Sequence, residues 1–129
     1  HVICVAWSES LGKWVWVDPT FAAFVTDENG LMLHPGEVRY RIQHDLPVVL
    51  NKDANWNNKW PETQDEYIDY YMAKNLYILQ TNTFNQAEPE GESTHRQGHH
   101  IALVPQGISH PNSNCNTTDE QWFWQPPVK

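Results

Sequence analysis

The first twenty residues carry two apolar runs that flank a short polar stretch, a pattern typical of a β-hairpin. Residues 2–7 are almost all apolar and β-favouring, and residues 14–17 form a second run of aromatic and β-branched side chains. Residues 8–13 between them supply turn residues, including Gly12. The pattern therefore predicts two antiparallel strands joined by a tight connection.

Both faces of the second predicted strand are apolar. Because side chains alternate along a strand, Trp14 and Trp16 share one face with Asp18, whereas Val15 and Val17 share the other. An apolar residue set on each face is typical of a strand that is covered on both sides. We expect this strand to lie in the core.

The open end of the hairpin holds a histidine and an aspartate. With a turn centred near Glu9 and Ser10, antiparallel pairing puts His1 opposite Asp18 or one step from it. A carboxylate beside an imidazole fixes the tautomer of the ring and stabilises its protonated form, as a general base requires. A surface histidine and an ordinary Asp-Pro-Thr turn are the alternative interpretation of the same residues.

Farther along the chain, the pattern predicts a second hairpin and a first helix. Apolar residues 21–25 and 31–33 flank an Asn-Gly reverse turn at residues 29–30. A helix is then predicted from His34, with a proline and an acidic residue in its first turn, until Pro47 stops it. Its apolar stripe, with members four residues apart, comprises Val38, Ile42 and Leu46.

The second predicted helix begins at a capping box formed by Thr63 and Glu66 and ends near Asn75. Its buried stripe comprises Tyr67, Ile68, Tyr71 and Met72. Strand patterns follow at residues 76–84, 99–104 and 121–124, and the polar residues 85–97 predict a mobile loop. Together these elements predict an α+β fold in which about two helices pack on a mostly antiparallel sheet.

Length and composition indicate a single domain, residues 1–129, because the chain is 40% hydrophobic and contains seven tryptophans. The net charge of −8, with only eight Lys and Arg, argues against a nucleic-acid partner. No apolar run approaches the roughly 20 residues of a membrane-spanning helix. The two cysteines can form a disulfide but do not require one.

The tryptophan-rich strand that ends in Asp18-Pro19-Thr20 resembles a motif of the transglutaminase-like superfamily. In that superfamily a histidine opens one strand and an aspartate closes the next, usually as W-x-x-x-D-P-T, and residues 14–20 read WVWVDPT. The continuation, residues 21–42, resembles the exported bacterial branch. The resemblance implies a papain-like core with a Cys-His-Asp triad, in which His1 and Asp18 are the catalytic histidine and aspartate, and it favours an extracytoplasmic location.

The cysteine of the implied triad has no counterpart in this chain. In the superfamily it lies upstream of the histidine, at the start of a buried helix, whereas Cys4 follows His1 and points to the opposite face of the same strand. Cys4 is predicted to be a small buried residue, and Cys115 lies in a predicted loop without electropositive neighbours. We therefore expect residues 1–129 to be the later segment of such a domain, with an upstream segment that supplies the cysteine.

The function implied by the resemblance is acyl transfer from an amide, or hydrolysis of that amide, in a peptide bond or a glutamine side chain. A peptide or protein is then the substrate, and neither a cofactor nor a metal is expected. Because His1 and Asp18 lack a covalent nucleophile, the isolated chain is predicted to be inactive. We also expect an apolar patch near His1, covered by the upstream segment or by a second copy in a homodimer.

Two other groups of residues suggest different functions. The first is a metal site formed by histidines that are close in sequence, His95, His99, His100 and His110. Neighbouring histidines in a strand point to opposite faces and no acid or cysteine has ligand spacing, so no metal site is predicted. The second is a non-catalytic platform that binds a carbohydrate or a protein through loop tryptophans, Trp56, Trp60, Trp122 and Trp124.

Overall fold

The computed structural model describes residues 1–82 and 100–128 of the chain. Contacts divide these residues into two compact units. The first unit contains residues 1–77 and 124–128, and the second contains the described residues of 78–123. The single domain stays a prediction, and each unit is described by itself.

The predicted first hairpin forms at the start of the first unit. Strand β1 (Cys4–Ser8) pairs antiparallel with β2 (Lys13–Val17). Ser8 pairs with Lys13, so the turn is centred between Ser10 and Leu11, one residue later than predicted. Extended by one pair, this register sets Asp18 opposite Ile3. His1 therefore precedes the paired strand instead of lying within it.

Strand β2 is covered on both faces, as the alternation of its residues predicts. Val15 and Trp16, from opposite faces, are both buried, while Trp14 and Val17 are half-buried. On the edge away from β1, the Trp16 amide donates to the carbonyl of Leu33 at 2.9 Å. Strand β2 therefore holds the residues that directly follow it, beginning with Asp18, against the core of the first unit.

Strand β1 differs from the prediction in how its outer face is covered. Ile3 and Val5 are half-buried, whereas Cys4 and Ala6 are exposed. The alternation is right, but the prediction that Cys4 is buried is wrong. Its side chain is open to solvent, because the cover that buries Val15 on the same face of the sheet does not extend to β1.

The predicted second hairpin is reduced to a turn with a single bridge. The Asp27 amide donates to the Leu31 carbonyl at 2.9 Å around the Asn-Gly turn, and Thr26 forms an isolated bridge with Met32. Strand β3 (Val25–Thr26) takes β4 (Val49–Leu50) as its antiparallel partner.

Helix α1 (Pro35–Gln43) begins where the sequence predicts. It ends well before Pro47, because Asp45 adopts φ 52° and the Leu46 amide turns back to the Arg41 carbonyl at 2.8 Å. Val38 is fully buried, but Leu46 lies beyond the helix and is exposed. The buried stripe is therefore one turn shorter than predicted.

The second predicted helix forms with an unusual geometry. It is a π-helix (Asp65–Met72) followed by a 3₁₀ helix (Ala73–Leu76). Thr63 and Glu66 form the predicted capping box, since each backbone amide donates to the other's side chain, at 3.1 and 3.3 Å. In the wider π turn, residues five apart fall on one face, and Tyr67 and Met72 are both buried.

A small hairpin precedes this helix. Strands β5 (Asn55–Trp56) and β6 (Trp60–Pro61) pair antiparallel, with Trp56 directly opposite Trp60. Asn57 and Asn58 both adopt positive φ, 53° and 57°, in the connection. Asparagine tolerates this conformation better than most residues, so the asparagine-rich segment forms a tight turn.

The second unit is built on a three-stranded sheet. Strand β8 (His100–Leu103) lies between β7 (Leu79–Asn82), which is antiparallel to it, and β9 (Cys115–Thr117), which is parallel. Strands β7 and β8 confirm two predictions, whereas Cys115 lies in a strand and not in a loop. The predicted loop 85–97 lies outside the described residues.

The strand predicted at residues 121–124 is wrong. This segment forms a short helix, α2 (Glu120–Phe123). The Trp122 amide donates to Oδ1 of Asp119 at 3.0 Å, and the Phe123 amide donates to the Asp119 carbonyl at 3.0 Å. Asp119 therefore caps a helical turn, and this local hydrogen bonding prevails over the β propensity of the aromatic residues.

The predicted α+β class is confirmed, because helices and antiparallel sheets occur together. The strands of the described residues form four small sheets instead of one larger sheet. A transglutaminase-like fold stays a prediction. In residues 1–82 and 100–128, no helix is long and apolar enough to cross a membrane.

Candidate active site

Asp18 lies at the end of β2 in a turn that its own sequence specifies. The Thr20 amide donates to Oδ1 of Asp18 at 3.1 Å, an interaction typical of an Asp-Pro-Thr turn. The backbone of Asp18 exchanges two hydrogen bonds with Ala23, at 2.8 and 3.0 Å. Its carboxylate is 0% exposed, so the turn holds a buried acid in a fixed orientation.

His1 contacts this carboxylate as predicted. Its Nε2 atom lies 2.8 Å from Oδ2 of Asp18, and its side chain is 12% exposed. The contact confirms the predicted proximity, although the hairpin register alone does not place the two residues side by side. The catalytic roles of His1 and Asp18 stay predictions.

Two further aromatic residues form a chain of hydrogen bonds that ends at Asp18. The Tyr67 hydroxyl donates to Oδ2 of Asp18 at 2.7 Å, and the Trp16 indole donates to the Tyr67 oxygen at 3.2 Å. An indole N–H can only donate, so the Tyr67 oxygen accepts from Trp16 and its proton points to Asp18. Burial first, and then the hydrogen bond to Asp18, raises the pKa of Tyr67 far above its ordinary value, which keeps it a donor.

The direction of these hydrogen bonds assigns the tautomer of His1. Tyr67 and the Thr20 amide both donate to Asp18, which matches an ionised carboxylate that accepts on both oxygens. The Nε2 atom of His1 must then carry a proton to contact Oδ2. In the neutral ring the lone pair consequently lies on Nδ1, and Nδ1 is the atom that can act as a base.

A tyrosine hydroxyl faces that lone pair. The Oη atom of Tyr71 lies 3.3 Å from Nδ1 of His1, and the ring of Tyr71 contacts the imidazole edge to face at 5.3 Å. Phe21 makes a second edge-to-face contact with the imidazole at 5.6 Å. The histidine therefore sits between two aromatic rings, where partial exclusion of water strengthens its interaction with Asp18.

The two cysteines do not complete this arrangement within the described residues. Cys4 lies exposed in β1, and no hydrogen bond joins its thiol to His1 within residues 1–82. Cys115 is exposed in β9 of the second unit. Residues 1–82 thus assemble a base and the carboxylate that orients it.

Three members of the site were not identified from the sequence as functional residues. The sequence pattern predicts only core packing for Trp16, Tyr67 and Tyr71. A usable signal was present, since two tyrosines four residues apart on the buried side of one helix bring two hydroxyls to one region. Buried tyrosine hydroxyls need polar partners, and Asp18 and His1 are such partners.

The structure also bears on the two alternatives, the histidine metal site and the tryptophan platform. Within residues 1–82 and 100–128, no group of three potential ligands could hold a metal ion. His95 and His99 lie outside those residues, and Nδ1 of His110 accepts from the Asn112 amide at 3.3 Å. Among the four candidate tryptophans, three are exposed, namely Trp56, Trp60 and Trp122.

Comparisons with protein-family models, with curated proteins and with solved structures found no match. The resemblance to the transglutaminase-like superfamily consequently depends on the residues of the hairpin and of the segment that follows it, residues 1–42, alone.

Proposed function

We propose that His1 and Asp18 are the base and the orienting carboxylate of an enzyme that attacks amide bonds through a cysteine thiolate. The amide belongs to a peptide bond or to a glutamine side chain. The cysteine lies in a segment outside residues 1–129, upstream of His1. The observation that carries the proposal is the 2.8 Å contact of Nε2 with a fully buried carboxylate, which leaves Nδ1 as the basic atom.

The hydrogen-bond network supports this role because its donors lead to the carboxylate of Asp18. Trp16 donates to Tyr67, Tyr67 donates to Asp18, and the remaining carboxylate positions accept from Thr20 and His1. A carboxylate held in this way cannot rotate without losing several bonds. It therefore fixes the imidazole plane and stabilises the positive charge that the ring acquires during the reaction.

The proposed reaction follows from the tautomer. The thiol gives its proton to Nδ1 of His1, and the sulfur attacks the carbonyl carbon of the amide. The imidazolium, stabilised by Asp18, then returns this proton to the departing amine as the C–N bond breaks. Water resolves the acyl-enzyme in a hydrolase, whereas an amine resolves it in a transferase.

The test is to read the gene upstream of the His1 codon and to assay the protein that it encodes. We expect a cysteine that opens a helix, amide hydrolysis or glutamine crosslinking by the longer protein, and none by residues 1–129 alone. Loss of the histidine of such a triad removes activity by on the order of a millionfold, so His1→Ala should abolish turnover. Activity of residues 1–129 that Cys4→Ala or Cys115→Ala abolishes would overturn the proposal.

A second candidate function is binding of a carbohydrate or a protein through exposed tryptophans. The observation that favours it is the pair Trp56 and Trp60, directly opposite on one hairpin and 37% and 58% exposed. Rings exposed on the same side of a hairpin offer a stacking surface. A saturable fluorescence change with an oligosaccharide or a peptide, lost in Trp60→Ala but kept in Tyr77→Ala, would support binding without chemistry.

A further inference from the structure

Tyr71 is the residue that meets the basic atom of the site. In the neutral ring Nε2 of His1 carries the proton that faces Asp18, so the 3.3 Å contact at Nδ1 uses the proton of the Tyr71 hydroxyl. Tyr71 is thus a hydrogen-bond donor in the described site. Its oxygen marks the position from which a proton reaches the base.

Contacts on several sides fix the ring of Tyr71. It lies on the π-helix, edge to face with His1 at 5.3 Å and tilted against Phe21 at 5.5 Å. The Lys74 ammonium lies 5.5 Å from the centroid of the same ring. The Tyr71 hydroxyl is therefore held beside His1 by packing and not only by its own hydrogen bond.

A nucleophile that gives its proton to Nδ1 has to take the hydrogen-bonding position that Tyr71 occupies. One imidazole nitrogen has one lone pair, so the contact with Tyr71 is replaced when the thiol approaches. The displaced O–H stays close to the attacking sulfur and to the carbonyl group that the sulfur attacks. A donor in this position can stabilise negative charge on the carbonyl oxygen.

We infer that Tyr71 is a catalytic residue whose hydroxyl donates to the carbonyl oxygen of the substrate amide, an inference that rests on the proposed function. The thiol proton passes to Nδ1 of His1, and the sulfur bonds to the carbonyl carbon. The π electron pair of the carbonyl moves onto its oxygen, which accepts the hydrogen bond of Tyr71. When the C–N bond breaks, that pair re-forms the carbonyl group, and the amine leaves with the proton from Nδ1. Tyr71 keeps its own proton throughout.

The test compares Tyr71→Phe with Tyr70→Phe in the longer protein. Tyr70 is the matched control, because it is the neighbouring residue, is 79% exposed and has the same lysine over its ring at 5.5 Å. Removal of one oxyanion donor lowers kcat by about 10²–10³-fold, so Tyr71→Phe should show this loss with KM within about twofold. Tyr70→Phe should match the wild type. A kcat within about threefold of the wild type, or a loss that lies in KM alone, would overturn the role of Tyr71.

A second measurement separates this inference from the proposed reaction. In protein labelled with ¹⁵N-histidine, Tyr71→Phe should move the Nδ1 resonance of His1 toward that of an imidazole nitrogen without a hydrogen bond, and should leave Nε2 in place. An unchanged Nδ1 resonance would overturn the contact itself, whatever the turnover. No turnover by the wild-type longer protein would overturn the acyl transfer and with it the carbonyl role, while the shifted resonance would still support Tyr71 as the donor to His1.

Discussion

Two histidines of the first unit lie beside a carboxylate, but their lone pairs have different partners. In one pair, Nε2 of His1 contacts the buried Asp18 at 2.8 Å, and Nδ1 faces the Tyr71 hydroxyl. In the other pair, Nε2 of His34 lies 4.0 Å from the half-exposed Glu37. The Nδ1 atom of His34 accepts from the backbone amides of Gly36 and Glu37, at 3.0 and 3.4 Å.

The difference separates a structural histidine from a candidate base. His34 caps α1, and its ring packs on Trp124 with centroids 4.5 Å apart, so its lone pair is committed to the helix. The lone pair of His1 faces a side-chain hydroxyl that an incoming group can replace. A nearby carboxylate therefore does not distinguish the two histidines, whereas the partner of the lone pair does.

In the comparison of the two histidine–carboxylate pairs, the largest expected effect comes from exchanging the carboxylate of each pair for an amide. Asp18→Asn removes the acceptor that fixes the Nε2–H tautomer of His1, and in related triads this change lowers kcat by about 10⁴-fold. Glu37→Gln is the matched control and should leave kcat of the longer protein unchanged. Steady-state kinetics of both variants provide the measurement. Equal losses of kcat in the two variants would contradict the prediction that the buried carboxylate of Asp18, and not that of Glu37, fixes the tautomer needed for turnover.

The next largest effect is on stability and concerns Tyr67. Tyr67→Phe removes the hydrogen bond to Asp18 and leaves the Trp16 indole without its acceptor, and an unsatisfied buried group costs about 1–3 kcal/mol. Tyr70→Phe, at an exposed position, should stay within about 0.5 kcal/mol of the wild type. Urea denaturation of residues 1–129 measures both. A Tyr67→Phe chain as stable as the control would contradict the network.

The raised pKa of Tyr67 gives the same residue a pH dependence. Burial, and then Asp18, favours the neutral phenol in the folded protein, so the folded pKa lies above the unfolded value of about 10. The stability from this residue is complete below that unfolded value and is lost as the pH rises toward the folded value. The Tyr67→Phe chain should therefore lose less stability above about pH 10 than the wild type does.

A smaller effect is expected from the capping histidine. His34→Ala removes the acceptor at the start of α1 and should cost about 1 kcal/mol, the usual cost of losing an N-cap. His34→Asn supplies a different capping oxygen and should retain most of this stability. Both variants should keep full turnover in the longer protein. Loss of activity in His34→Asn would remove the distinction between the two histidines.

The sequence predicts the elements of the site better than it predicts their contacts. The hairpin and the Asp-Pro-Thr turn follow from local patterns, and the proximity of His1 to Asp18 follows from them in outline. The exact register does not, because the turn shifts by one residue and His1 reaches Asp18 from outside the strand. A one-residue shift in a turn depends on local backbone geometry that hydrophobicity does not encode.

The spacing of Tyr67 and Tyr71 indicates two hydroxyls in one region, but it does not identify Asp18 and His1 as their partners, since the contacts join residues about fifty and seventy positions apart. Two other predictions fail because they use residue type alone. Cys4 is exposed although cysteine is usually buried, and residues 120–123 are helical because Asp119 caps them locally against the β propensity of their aromatic residues.

The smallest expected effect concerns the capping box of Thr63 and Glu66. Unlike the contact of His1 with the buried Asp18, this box is exposed to solvent. The side chain of Thr63, followed by its backbone amide, lowers the pKa of Glu66 below its ordinary value. A lowered folded pKa adds stability above the unfolded value of about 4.3, and this stability is lost as the pH falls through the folded pKa. Thr63→Ala should therefore raise the pKa of Glu66 and weaken the acid dependence of stability.

The measurement is a carboxyl ¹³C NMR titration of the wild type and of Thr63→Ala. Glu62 is the internal reference, because burial, followed by the charge of Glu66, raises its pKa, and Thr63 is not among the causes. The pKa of Glu66 should consequently move more than that of Glu62. If the pKa of Glu66 stayed in place, the Thr63 hydroxyl would not be its principal donor, and the box would depend on the backbone amide alone.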